Sequence, residues 1–94
     1  MTKYEAVYII SPNLEEEPVK GIIAKFNNLV SQHGTLENTD EWGRKKLAYE
    51  VQDQKEGYYV LMNFTASPDF PAELERNFKI TEGVIKYIVI KKDQ

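Results

Sequence analysis

The chain has 94 residues, of which 41% are hydrophobic and 29% are charged, and this balance indicates a folded domain rather than a disordered segment. It has no cysteine, which excludes a disulfide scaffold, a thiolate metal site and a cysteine nucleophile, and which fits a reducing cytosol. The net charge is −3, so binding to nucleic acid requires a local basic patch or a partner that supplies positive charge. We expect one domain over residues 1–94, without a membrane span or a signal peptide.

The first half of the chain begins with a predicted strand and a predicted helix. Residues 3–10 are rich in Tyr, Val and Ile on both faces, which favours a central strand. Apolar residues then recur at helical spacing from about residue 15 to residue 33, and Gly34 ends this helix. Gly21 lies inside the helix, where glycine costs about 1 kcal/mol relative to alanine, so it indicates close packing against a neighbour.

Two strands and a loop are predicted next. Residues 35–52 form a long extended segment in which Leu47, Tyr49 and Val51 alternate with polar residues, as on an edge strand. Residues 53–57 form the loop of a hairpin. Residues 58–66 are almost continuously apolar or aromatic and therefore predict a central strand.

The last two elements are a second helix and a fourth strand. Ser67 is a suitable helix cap and Pro68 suits the first helical position. Apolar residues recur every four positions after them, Pro71 delays or bends the helix start, and residues 81–83 end the helix. Residues 84–91 alternate as a strand.

This order, β-α-β-β-α-β, is the split-βαβ or ferredoxin-like plan of the α+β class. Right-handed crossovers place both helices on one face of a four-stranded antiparallel sheet, with the fourth, first, third and second strands side by side. The second face of the sheet stays uncovered. Large exposed apolar patches usually mark an interaction site, so we assign partner binding to the apolar residues on that face, namely Val7, Ile9, Tyr59 and Leu61.

No constellation in the sequence predicts catalysis, a metal or a cofactor. His33 is the only histidine and lies at the end of the apolar helix stripe without an evident orienting partner. The acidic residues 15–17 are consecutive and point in different directions on a helix, so they indicate a solvated helix start. No glycine-rich phosphate loop occurs, which also disfavours an acylphosphatase-like hydrolase.

Two stretches invite a nucleic-acid interpretation. Residues 55–63 lie where an RNA-recognition motif carries its aromatic signature, but Glu56, Tyr59, Val60 and Asn63 depart from that pattern, so we reject a standard motif of this type. The three consecutive cations at 44–46 predict either a phosphate-binding patch or an edge strand charged against aggregation.

The string Trp42-Gly43-Arg44-Lys45-Lys46-Leu47-Ala48-Tyr49, with Lys3-Tyr4-Glu5, Gly57-Tyr58-Tyr59 and the last strand, closely resembles the bacterial small-subunit ribosomal protein six family. The resemblance covers nearly the whole chain. It departs at Glu50, where the family often has proline.

The resemblance implies a non-enzymatic ribosomal protein of the bacterial cytoplasm. It would bind small-subunit (16S) ribosomal RNA together with small-subunit ribosomal protein eighteen, without a small-molecule substrate. A basic partner would also explain how an acidic chain joins RNA. We expect the RNA contacts at the basic-aromatic start, the basic run and the basic end of the last strand, namely Lys3, Tyr4, Arg44, Lys45, Lys46, Lys91 and Lys92.

The alternative from a different class is a ferredoxin-like regulatory domain that dimerises and binds a small metabolite. A stable homodimer with a ligand in its interface would favour that alternative.

Overall fold

The computed structural model describes residues 1–51 and 54–92. Its helices and strands follow the predicted order, with bounds β1 Thr2–Ile10, α1 Glu16–His33, β2 Gly34–Val51, β3 Gln54–Ala66, α2 Phe70–Ile80 and β4 Val84–Lys91. The four strands form one antiparallel sheet in the order β2-β3-β1-β4, which confirms the predicted ferredoxin-like arrangement.

The core lies between the two helices and one face of the sheet. Tyr8 of β1 packs against Phe26 of α1 and Phe78 of α2, with ring centroids 5.2 and 5.0 Å away. Phe26 and Phe78 also contact each other at 4.5 Å. These contacts show that both helices cover the same face of β1, as the handedness of the connections predicted.

Two helix boundaries differ in detail from the predictions. Gly34 ends α1, but in an extended conformation that starts β2 directly. A Cβ at this position would lie 2.2 Å from the carbonyl oxygen of Thr65, so glycine is needed for the close approach of β2 to β3. The second helix begins at Phe70 and has Pro71 in its first turn, while the Ser67 hydroxyl bonds to Asp69 instead of capping the helix.

The hairpin of β2 and β3 is longer than predicted. Gln54 pairs with Val51, so residues 54–57 belong to a strand and not to a loop. The remaining predicted loop residue, Asp53, and the predicted strand end, Gln52, lie outside the described residues. The pairing of β2 with β3 is interrupted by three register shifts, the last of them between Lys46 and Val51.

The extended part of this hairpin bends over the sheet face that the helices leave free. Tyr49 of β2 reaches Lys86 of β4, although these strands form opposite edges of the sheet. That face is therefore covered at the hairpin end, which corrects the expectation of a wholly uncovered face. Gly21 also differs from expectation, because an added Cβ there would meet, among the described residues, no atom within 4 Å beyond its chain neighbours and the backbone of its own helix.

Candidate nucleic-acid and protein interface

The sheet face away from the helices is here called the open face. On the two central strands it carries alternate residues, Lys3, Glu5, Val7 and Ile9 of β1 and Tyr59, Leu61, Asn63 and Thr65 of β3. The edge strands add Asp40 and Trp42 of β2 and Lys86, Ile88 and Ile90 of β4. Most of the residues predicted for the partner and for RNA lie on or beside this face.

The middle of the open face is apolar. Val7 lies opposite Leu61 on one side and opposite Ile88 on the other. Ile88 and Ile90 are 52% and 44% exposed, which is unusual for large aliphatic side chains on a sheet. The half-buried Val7 and Leu61 thus belong to a wider apolar patch, whose members on β4 the sequence interpretation did not include.

Trp42 extends the apolar patch toward β2. Its ring is 42% exposed and stacks on Tyr59 with centroids 6.2 Å apart and planes 19° apart. The indole N–H donates to Asp40 at 3.0 Å, and Lys45 Nζ lies 5.7 Å from the ring centroid. Sequence reasoning did not select Trp42, although a lone tryptophan on a polar edge strand is a signal for an interface.

Ile9 does not fit its predicted role in partner binding. Its side chain lies on the open face but is only 6% exposed. Gly57 crosses so close to it that a Cβ on Gly57 would lie 2.2 Å from Ile9 Cγ2, and Leu47 lies beside Gly57. The bent hairpin thus buries Ile9 against this protein's own residues.

One end of the open face is basic. The Lys92 backbone N–H donates to the Lys3 carbonyl at 2.9 Å, so two lysines meet on neighbouring backbones. Lys92 Nζ also donates to Asn63 Oδ1 at 3.1 Å, and Asn63 donates to Asn38 at 3.1 Å. Glu5 lies on the same face further in. Like charges on adjacent strands repel each other, and a bound anion would relieve this repulsion.

The other two residues predicted at this end differ from each other. Lys91 is exposed and lies opposite Tyr4 at the end of the sheet. Tyr4 itself is 6% exposed and stacks on Phe64 at 5.6 Å, on the side that the helices cover. The Tyr4 ring is therefore part of the core, and this position argues against the predicted contact of Tyr4 with RNA.

The cations of the hairpin form a separate group. Lys3 pairs with Thr65 and Arg44 pairs with Tyr58, so seven residues of β3, about 23 Å, separate the two groups. Lys45 lies beside Trp42, and Lys46 lies opposite Glu56. The structure does not bring the seven predicted RNA residues into one patch.

Arg44 points to the helix side of the hairpin. Its guanidinium donates to the Pro12 carbonyl at 2.9 Å and lines a cleft of about 360 Å³ between the start of α1 and the hairpin. In the same cleft Tyr58 donates to Glu41 at 2.9 Å, and this bond to a carboxylate raises the pKa of Tyr58. Opposite charges share the cleft, so it does not act as a simple anion site.

Among the described residues, the other side chains considered for catalysis or metal binding do not form a site. His33 stacks on Phe70 with ring centroids 5.0 Å apart at the far end of α1. Within residues 1–51 and 54–92, no group of three or more acidic or histidine side chains is placed to hold a metal ion. In the same ranges, no helix is both long and apolar enough to cross a bilayer.

Comparisons with known proteins agree with this architecture. The family model for ribosomal protein S6 matches residues 3–91. The small ribosomal subunit protein bS6 of Caldanaerobacter subterraneus is 52% identical over 94 residues, covering 99% of each chain. Its counterpart in Clostridium perfringens is 48% identical over 95 residues, covering 100% of each chain. The crystal structure of 30S ribosomal protein S6 from Thermotoga maritima is similar with a TM-score of 0.92 and 25% identity, covering 97% of this chain and 87% of that one.

The fold and these relatives define a structural protein of the small ribosomal subunit, which works in the bacterial cytoplasm and is not an enzyme. Both curated relatives have the same length as this chain within a few per cent. The chain belongs to the ribosomal protein S6 family. This confirms the predicted family and decides against the metabolite-binding regulatory domain.

Proposed function

We propose that this protein binds 16S ribosomal RNA jointly with small-subunit ribosomal protein eighteen. The RNA would bind at the basic end of the open face, and the partner protein would dock on the apolar patch next to it. The observation that carries the proposal is the pair Lys3 and Lys92, whose adjacent backbones bring two cations to one end of the sheet. Lys91 adds a third cation at the same end of the sheet, but it pairs with Tyr4 and therefore lies on the side that the helices cover.

The apolar patch supports a protein partner on the same face. Val7 is four residues from Lys3 along β1, or about 13 Å, so the two surfaces are close enough to be covered together. Exposed Ile88 and Trp42 would be desolvated by a protein, whereas RNA phosphates would leave them unfavourably placed. The net charge of −3 is consistent with a partner that supplies further positive charge.

The cations of the hairpin, at residues 44–46, would form a second set of contacts to the RNA phosphates, secondary to those at the Lys3–Lys92 end. Lys45 and Lys46 are exposed and can reach phosphate, although Lys45 lies over the Trp42 ring, while the Arg44 guanidinium donates to the Pro12 carbonyl. Because the two groups are about 23 Å apart, RNA that contacts both must span the sheet. We therefore expect the Lys3–Lys92 end to contribute to affinity independently of the hairpin.

The test is binding to a central-domain fragment of 16S ribosomal RNA, with and without ribosomal protein eighteen, across a salt series. We expect tight, salt-dependent binding only with the partner present. The double variant Lys3→Glu, Lys92→Glu should reduce the slope of log affinity against log salt by about 2, since each phosphate contact contributes about 0.9.

The double variant Lys45→Glu, Lys46→Glu tests the hairpin group separately. Lys79→Glu, on the exposed side of α2, is the control for a charge reversal away from the open face. Unchanged binding in both double variants would refute the assignment of RNA to these cations. Absence of binding with and without the partner would refute joint assembly altogether.

A further inference from the structure

The two edges of the sheet are protected to different degrees. The β2 edge is interrupted by three register shifts and carries many charged residues, and both features discourage pairing with another strand. Within the described part of the chain, β4 pairs with β1 alone. Its register with β1 is unbroken from Lys86 to Lys91, and residues 87–90 include neither a charge nor a proline.

One hydrogen bond determines which backbone groups of β4 point away from the sheet. Since the Lys92 N–H donates inward to Lys3, alternation turns the peptide groups of Lys86, Ile88 and Ile90 toward β1 as well. The N–H and C=O groups of Tyr87, Val89 and Lys91 then point away from the sheet. Four of these six outward groups, those of Tyr87 and Val89, lie in the uncharged stretch.

We propose that the free edge of β4 accepts an extended segment of the protein partner as a fifth strand of the sheet. A polypeptide fits because an outward row of alternating donors and acceptors requires a second backbone. RNA phosphates only accept hydrogen bonds and would leave the carbonyls of Tyr87 and Val89 without donors. Exposed Ile88 and Ile90 would support apolar side chains of the added strand. This inference rests on the proposed function, in that the joint partner supplies the segment.

A second copy of the chain is a poorer occupant of this edge. Each β4 edge carries Lys86 and Lys91, with Lys92 directly after them. In an antiparallel pair of such strands centred on Val89, Lys86 of each copy would lie opposite Lys92 of the other, and like charges across neighbouring strands are destabilising. The lysines thus discourage self-association. The uncharged residues 87–90 can still pair with a segment that places no cations opposite these lysines.

Hydrogen exchange at individual amides tests the proposal. The amides of Lys86, Ile88 and Ile90 should be protected in the free protein by β1, whereas those of Tyr87, Val89 and Lys91 should exchange rapidly. On forming the complex with purified ribosomal protein eighteen and the central-domain RNA fragment, the odd-numbered amides should slow at least about tenfold. The even-numbered amides serve as an internal reference on the same strand.

The other outcomes of this experiment separate a failure of strand addition from a failure of joint binding. If a gel-shift assay shows the complex but the odd-numbered amides stay unprotected, strand addition is refuted while joint binding stands. Protection by RNA alone, or in the concentrated free protein, would refute a partner segment as the occupant. If the complex does not form, the proposed function fails and this inference fails with it.

Discussion

Lys86 of β4 donates a hydrogen bond to the Tyr49 hydroxyl of β2, and its Nζ lies 4.4 Å from the centroid of the Tyr49 ring. These residues come from opposite edges of a four-stranded sheet, which three strand spacings of about 4.8 Å separate. The contact is possible because the end of the β2–β3 hairpin bends across the open face. The same bend buries Ile9 and sets one boundary of the apolar patch.

The Tyr49–Lys86 contact predicts a measurable coupling energy. In a double-mutant cycle with Tyr49→Ala and Lys86→Ala, we expect the pair to couple by about 0.5–1 kcal/mol, as for an exposed cation and ring. Urea denaturation of the four proteins measures it. Tyr49→Phe keeps the ring and should retain part of the coupling. A coupling of zero would mean that the hairpin is not held to β4 in solution.

The close approach of Gly57 to Ile9 predicts that no larger residue fits at position 57. Alanine there would place a Cβ 2.2 Å from Ile9 Cγ2, so Gly57→Ala should destabilise the protein by about 1–3 kcal/mol through overpacking. The matched control is Gly21→Ala, whose Cβ would meet no side chain or neighbouring element of the described structure within 4 Å, apart from its own chain neighbours, and which should stabilise α1 by about 0.5–1 kcal/mol. Denaturant midpoints separate the two. If Gly57→Ala is harmless, the hairpin does not lie against Ile9.

Tyr8 predicts a loss of stability at alkaline pH. Burial, and secondarily the nearby Glu41 carboxylate, raises the pKa of Tyr8 well above its ordinary value of 10.0. Above about pH 10 the unfolded chain releases this proton while the folded protein keeps it, so stability falls as pH rises, by up to about 1.4 kcal/mol per pH unit. Below pH 10 both states are protonated and this contribution is constant.

The variant Tyr8→Phe isolates the alkaline effect. It should flatten the decline of unfolding free energy above about pH 10 relative to the parent protein. Its stability at pH 7 should be equal or higher, because the buried Tyr8 hydroxyl has no hydrogen-bond partner within the described residues. Equal slopes for both proteins would show that Tyr8 ionises as readily in the folded state as in the unfolded chain.

Trp42 predicts a hot spot for the protein partner. Trp42→Ala should weaken binding of ribosomal protein eighteen by about 2 kcal/mol or more, roughly 30-fold, while the fold remains intact. The control is Ile80→Ala, which removes an exposed apolar side chain (64% exposed) from α2, outside the open face. Because Trp42 is the sole tryptophan, its fluorescence should also report docking in the unmodified protein. Equal binding by both variants would place the partner elsewhere.

The sequence by itself determined the elements, their order and the family. Alternation in 84–91 predicted β4 to the residue, and the two apolar faces of β1 predicted its central place. These features depend on neighbours along the chain and on the two periods of helices and strands, which a sequence displays directly. Tyr4 and Tyr8 are four residues apart and therefore share one face of β1, so alternation agrees with the burial of Tyr4, whereas the resemblance assigned Tyr4 to RNA.

Only the tertiary structure decided which surface residues act together. It separated the cations into two groups about 23 Å apart, turned Arg44 toward Pro12, and buried Ile9 beneath the bent hairpin. It also placed Trp42 beside Tyr59 and, among residues 1–51 and 54–92, left one edge of β4 without a neighbouring strand. Local periodicity assigns a residue to a face of its own strand, but strand order, register shifts and the bend of a hairpin depend on contacts between distant segments.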